Sequence, residues 1–283
     1  MLNVGIICDL QYDRSIFFSS YYYAVKNIFG YVKIINNSND LENINILFIG
    51  NDHFWNHRLV WENNNFIDSC NIRNIKVFVF TAERIITPHH PWNIDIQKNL
   101  EKFNNLYQYV IDVDDCIKLN KKITRGMISN HYKDCINVNF DKIDKCVFIG
   151  NVNGYPNRPG LISKLEKLID IDIIQSSNCS WIDYMMNLSK YRFVLSPLSV
   201  SNSFSFKFYE ILLVGSIPVH QVEKNTLSYY TEEAKYDDVI YFTDIDEAQL
   251  KISDFKLNRS FNKPWLEDFI TNVLIDNDIK INN

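Results

Sequence analysis

YRFVLSPLSVSNSFSFKFYEILLVGSIPVHQ, residues 191–221, is the stretch on which the reading of this chain turns. An apolar run at 193–195 enters a serine-rich loop, 204–214 has helical apolar spacing, and a second apolar run opens at Ile217. Gly215 supplies the left-handed residue that commonly closes a helix. Strand, helix and strand in about 30 residues make one crossover between parallel strands. Lys207 and Glu210 stand three apart, so both side chains leave one face of that helix. An exposed pair of this kind would stabilise by only roughly 0.2–0.5 kcal/mol. Phe204, Phe206, Phe208, Ile211 and Leu212 are too apolar for a solvated helix, so the pair is expected to serve a charged, polar ligand.

Working outward, the same alternation fills the chain. Strands are expected at 4–10, 31–36, 44–50, 76–81 and 107–113, with helices at 15–29, within 54–70, and at 94–106. The stretch 114–142 is polar and is expected as a connection. Strands then recur at 145–150, 171–175, 193–195, 217–222 and 239–242, with helices at 157–169, 181–188, 204–214, 246–254 and 264–275. Continuous apolar strands separated by helices predict parallel sheets covered on both faces. The fold class expected is α/β, with two Rossmann-like, doubly wound domains facing a cleft. The first spans 1–142 and the second 143–283, the last helix being free to pack back on the first.

Composition bounds the function. The 283 residues are 46% hydrophobic and 22% charged, as in a globular protein with an ordinary core. The net charge of −5 argues against wholesale binding of nucleic acid or anionic membrane. None of the six cysteines forms a CxxC pair, so no zinc cluster or redox motif is indicated, and a reduced cytoplasmic setting is expected. The apolar runs are too short to span a bilayer. IDVDD at 111–115 superficially resembles a metal-binding acidic motif, but its place at the end of the first domain favours a structural role; no metal site is expected.

Ligands of open parallel sheets bind beyond the carboxyl ends of the strands. In the first half those ends carry Asp9, Asp52, His53, Glu83, Asp112 and Asp114, a set rich in acids and bases. In the second half they carry Asn151, Ser196 and His220, with Ser203 and Ser205 in the loop before the helix, a neutral set suited to phosphate and sugar hydroxyls. FIGNVNGYPNRPG at 148–160 is a strand, a Gly/Asn loop and a helix start, which presents backbone N–H groups to an anion, and Arg158 adds a forked charge. It is neither a Walker loop nor a GxGxxG turn. TPHHPW, with His89 and His90, reads as an acceptor-side loop or a turn.

The stretch 190–220 resembles the signature of exostosin-like and fucosyltransferase-like glycosyltransferases of the GT-B fold, an aromatic-and-proline strand followed by Ser-aryl-Arg/Lys-x-x-Glu-Ala-Leu-x-x-Gly-x-Ile-Pro-Val. FIGNVNGYPNRPGLI looks like the opening of that family's donor domain, and VFVFTAERI at 77–85 resembles a strand-then-Glu segment of its first domain. The resemblance implies a nucleotide diphosphate sugar as co-substrate, with no separate cofactor. It implies that Lys207 contacts the phosphates or sugar and Glu210 the ribose or sugar hydroxyls. Ile211 stands where alanine is usual, and the loop is unusually serine-rich; both leave the donor open.

The reading that follows is a metal-independent glycosyltransferase. Asn151, Arg158, Ser196, Ser203, Ser205, Lys207, Glu210 and His220 would hold the donor. Glu83, then Asp52 or His53, would take the acceptor's proton. The acceptor is a glycan hydroxyl or another hydroxyl, a hydroxymethylated DNA base included. A nucleotide-sugar epimerase or hydrolase on the same fold, or a non-catalytic glycan- or partner-binding module, are the alternatives.

Overall fold

In the computed structural model, residues 2–8, 16–50, 64–81, 97–136, 141–176, 179–198, 202–233, 236–256 and 263–281 are described. The chain forms two compact units, Met1–His131 with Trp265–Asn283, and Tyr132–Pro264.

The first unit is built on a six-stranded sheet in which every pairing is parallel. Its strands are β1 (Val4–Ile7), β2 (Lys33–Ile34), β3 (Ile46–Ile49), β4 (Lys76–Thr81), β5 (Leu106–Val110) and β6 (Lys122–Ile123), in the order β2-β1-β3-β4-β5-β6. Helix α1 (Ile16–Phe29) carries β1 to β2; α2 (Asn64–Ile72) precedes β4. Alternate strand residues feed two cores. Ile7, Leu47, Ile49, Val77 and Val79 pack with Phe66, Ile67 and Cys70 of α2. Val4, Ile6, Phe48, Phe78 and Phe80 pack on the other face.

The stretch after β5 is more than a connection. The strand expected over 107–113 ends at Val110 because Asp112 caps a helix, α3 (Val113–Leu119), its carboxylate accepting from the Asp115 N–H at 3.1 Å. Strand β6 then pairs with β5 and lengthens the sheet. A two-residue strand has no apolar run to announce it.

The second unit holds β7 (Ile143–Ile149), β8 (Ile171–Ile174), β9 (Tyr191–Ser196), β10 (Ile217–Gln221) and β11 (Ile240–Phe242), all parallel, in the order β11-β10-β9-β7-β8. Helix α4 (Arg158–Leu165) links β7 to β8, α5 (Trp181–Ser189) links β8 to β9, and α6 (Phe206–Leu213) links β9 to β10. Helix α7 (Ile245–Asp254) follows β11 and shares with α4 the core of Phe148, Phe193, Leu195, Val219 and Phe242. The chain runs from β7 outward to β8, then back across to β9, so the strand order reverses between β7 and β9. That switch point is where sheets of this kind open a crevice.

The last helix, α8 (Leu266–Asp276), returns to the first unit. Its Leu266, Ile270, Val273 and Leu274 join the core of α1. Glu267 fixes this return: its carboxylate accepts from Ser129 Oγ at 2.5 Å, from the Asn130 N–H at 2.9 Å and from Asn27 Nδ2 at 3.0 Å. Hydrogen bonds to a charged group are worth about 1.5–3 kcal/mol each where the group is buried. Glu267→Ala is expected to lower stability by about 3 kcal/mol. Urea unfolding measures this, and a loss below about 1 kcal/mol would contradict the anchoring role.

Candidate functional site

Above the carboxyl end of β7, four side chains converge. Phe148 is fully buried and forms the floor. The ammonium of Lys207, on α6, lies 4.3 Å from the centre of its ring and donates to the Ile149 carbonyl. The guanidinium of Arg158, from the first turn of α4, is 5.6 Å from the same ring and 4.4 Å from that of Tyr155, and donates to the Asn151 carbonyl at 2.8 Å. Glu210 is 5% exposed, one turn along α6 from Lys207. Its carboxylate accepts from the Trp181 indole N–H at 2.9 Å.

Local sequence explains this convergence. The serine loop delivers α6 at Ser205, whose backbone is extended and whose side chain makes no cap hydrogen bond. Phe208, Ile211 and Leu212 are buried on the sheet, which carries Lys207 and Glu210 to the strand ends. Gly150 makes the approach of Lys207 feasible. Its φ is +156°, and a Cβ there would lie 3.1 Å from Phe148 Cζ and 3.2 Å from Lys207 Nζ. Asn151 turns the loop by accepting from the Asn153 N–H at 3.0 Å.

The charges are unusual for their surroundings. Among the described residues neither Lys207 nor Arg158 has an ion-pair partner, and Arg158 Nε is buried without any hydrogen bond. Burial, and next the nearby Arg158 charge, pull the Lys207 ammonium down to about 7, while Glu210 works the other way. Burial also lowers Arg158. Burial raises the Glu210 carboxyl, opposed by the Trp181 hydrogen bond, the Lys207 charge and the Tyr184 hydroxyl. Two half-buried cations without an ion-pair partner among the described residues form a site that gains from an anion.

Beside this cluster the groove between α4 and α7 opens into a cavity of about 770 Å³. Pro156, Asn157 and Gly160 line it from the start of α4, and Gln221, Thr243 and Asp244 from the ends of β10 and β11. It therefore adjoins Arg158 along the same sheet edge but does not include Lys207 or Glu210.

The other residues expected at the donor site divide. Asn151 and Arg158 join Lys207 and Glu210. Ser196 and His220 lie inside the core instead. His220 Nδ1 is 3.1 Å from Ser196 Oγ and 3.2 Å from the Ser196 carbonyl, and its ring stacks against Phe204 at 5.7 Å. Burial drives the imidazole down to about 3, so it is neutral. Ser203 is 6% exposed. Asp52, His53 and Glu83, the expected bases, lie outside the described residues, as do Asp9, His89 and His90. Sequence reading missed Phe148, Tyr155, Trp181 and Tyr184; only the aromatic pair three apart at the head of α5 offered a signal. Among the described residues no group of three or more His, Cys, Asp or Glu side chains is placed to hold a metal, and no helix is long and apolar enough to cross a membrane.

No family model matches the chain, and no curated protein matches it. Among solved structures it is similar to an α1,3-fucosyltransferase determined with GDP, at 12% identity, covering 99% of this chain and 91% of that one with a TM-score of 0.48. It is also similar to a protein named as a two-component system response regulator/GGDEF domain protein, at 10% identity, covering 89% and 97% with a TM-score of 0.25. At these scores neither likeness carries a functional argument; the two parallel α/β sheets are read from the strand pairing itself.

Gly150→Ala tests the approach of Lys207. A β-carbon at this φ is strained, at a cost of about 1–3 kcal/mol, and pushes the ammonium off the Ile149 carbonyl. The expected outcome is a lower Tm together with weakened anion binding, whereas Gly160→Ala, inside α4 with open space around it, does not lower Tm and leaves anion binding unchanged.

Proposed function

We propose that this protein is a glycosyltransferase whose second unit holds the diphosphate of a nucleotide sugar between Lys207 and Arg158. The observation that carries this reading is the pair of half-buried cations above Phe148, without an ion-pair partner among the described residues and set at the switch point of a parallel sheet. A diphosphate offsets both charges at once, and beside the buried Phe148 ring the attraction is stronger than in bulk water. The resemblance of residues 190–220 to the glycosyltransferase signature supports the same assignment, since it implies Lys207 at the phosphates and Glu210 at donor hydroxyls.

Lys207 and Arg158 then stabilise charge developing on the leaving diphosphate as the sugar–phosphate bond breaks. This is the role a divalent ion plays in other solutions to the same problem, and the reaction is proposed to need none. Glu210 accepts from ribose or sugar hydroxyls. Glu83 remains the first candidate for the acceptor's proton, with Asp52 and His53 next.

Thermal shift and calorimetry against UDP-, GDP- and CMP-sugars test the proposal. One donor is expected to raise Tm, and Lys207→Ala to weaken its binding by about 10–100-fold, the worth of about 1.5–3 kcal/mol for a lost charged hydrogen bond. No stabilisation by any donor would sink the assignment.

The affinity also carries a sign in pH. Lys207 sits near 7 in the free protein and must be charged to hold a phosphate, so affinity falls as pH rises above 7, approaching tenfold per unit. Lys207→Arg keeps its charge and is expected to flatten this slope between pH 7 and 9.

A further inference from the structure

We infer that Trp181 and Tyr184 are positioning residues that together clamp the carboxylate of Glu210 and aim its remaining acceptor capacity at the sugar moiety of the ligand. This rests on the reading of the site as one for a nucleotide sugar.

The clamp is built from neighbouring elements. Ser180 caps α5, its hydroxyl accepting from the Asp183 N–H at 3.1 Å, which fixes the first turn where Trp181 stands. Trp181 and Tyr184 are three apart, so both leave the face of α5 that packs on α6. The indole N–H reaches Glu210 Oε1 at 2.9 Å. Tyr184 lies near the same carboxylate, and burial first and the Glu210 charge second hold its hydroxyl well above the ordinary tyrosine range, so it stays protonated and able to donate. Tyr132 packs edge-on against the indole with ring centres 6.2 Å apart.

A carboxylate offers about four acceptor positions. An indole N–H can only donate, so Trp181 occupies one position in a fixed direction, and the protonated Tyr184 hydroxyl beside it is offered as the second donor. What remains is open to ligand hydroxyls. Lys207 and Arg158 grip the diphosphate independently, so the clamp governs recognition of the sugar nucleotide beyond its phosphates.

Tyr184→Phe deletes the hydroxyl and keeps the ring, and Trp181→Phe deletes the indole N–H and leaves a smaller aromatic ring. Calorimetry of both variants with inorganic pyrophosphate and with the stabilising sugar nucleotide separates the two functions. The expected result is pyrophosphate affinity within twofold of wild type and sugar-nucleotide affinity reduced about tenfold, as for the loss of a charge-assisted hydrogen bond that orients a ligand group. The acid limb of sugar-nucleotide binding also moves to higher pH in Trp181→Phe, because the carboxyl has lost a bond that favoured its ionised form. An unchanged ratio of the two affinities in both variants overturns the clamp and leaves the reading of the site standing. Failure of the wild type to bind either ligand overturns the reading and the clamp with it.

Discussion

Parallel pairing is the constraint from which this architecture follows. A parallel strand cannot be joined to its neighbour by a tight turn, so each strand is followed by a crossover, and all strands of a sheet end at one edge. Every pairing in both sheets is of this kind. In the second unit the result is a row of strand ends at Ile149, Ile174, Ser196, Gln221 and Phe242. Reversal of the strand order between β7 and β9 separates the helices to opposite faces, α4 on one and α6 on the other. Arg158 and Lys207 therefore approach the end of β7 from both sides.

Charges elsewhere in the unit show what a satisfied cation looks like. Lys142 donates to the Ser189 carbonyl at 2.7 Å, the Val214 carbonyl at 3.0 Å and Ser216 Oγ at 3.1 Å, and so bridges the C-terminal ends of α5 and α6, where the helix dipoles favour a positive charge. Lys145 lies 2.8 Å from Asp170 and 2.5 Å from Asp172. Lys251 lies 2.5 Å from Glu247. Lys207 has one carbonyl and an aromatic ring, and Arg158 one carbonyl and two rings. The contrast lies in the number and charge of the acceptors: Lys142 has three oxygens and Lys145 and Lys251 have carboxylates, whereas Lys207 and Arg158 each have one carbonyl and aromatic rings.

The repeating alternation made the fold legible in the sequence. The helical spacing around Lys207 and Glu210, and the glycine–asparagine loop before Arg158, made half of the donor-side cluster legible too. What escaped reading did so for identifiable reasons. Strand β6 has two residues and no apolar run, so the stretch after Val110 read as a connection. Ser196 and His220 lie at strand ends, where ligand contacts are expected, yet their partner is each other and their surroundings are aromatic. Exposure at a strand end depends on what the next loop covers, and that is not written in local spacing. Trp181 and Tyr184 fall in the helix expected at 181–188 without being singled out, because an aromatic ring that donates a hydrogen bond looks, in sequence, like one that only fills space.

The choice of donors for Glu210 bears on why the two charges of α6 remain separate. Three apart on one helix face, Lys207 and Glu210 could pair directly, and a desolvated pair would be self-satisfied. Their charges would then be spent on each other, with little left for a ligand. The neutral Trp181 indole of α5 donates to the carboxylate without cancelling its charge, while the Ile149 carbonyl and the Phe148 ring hold the ammonium without a counter-ion. Neutral partners stabilise a buried charge less completely than an opposite charge does, which is why burial still dominates the shifts of both groups. That residual cost is the physical condition for a site in which a cation can meet phosphate and an anion, a few ångströms along the same helix, can meet hydroxyls.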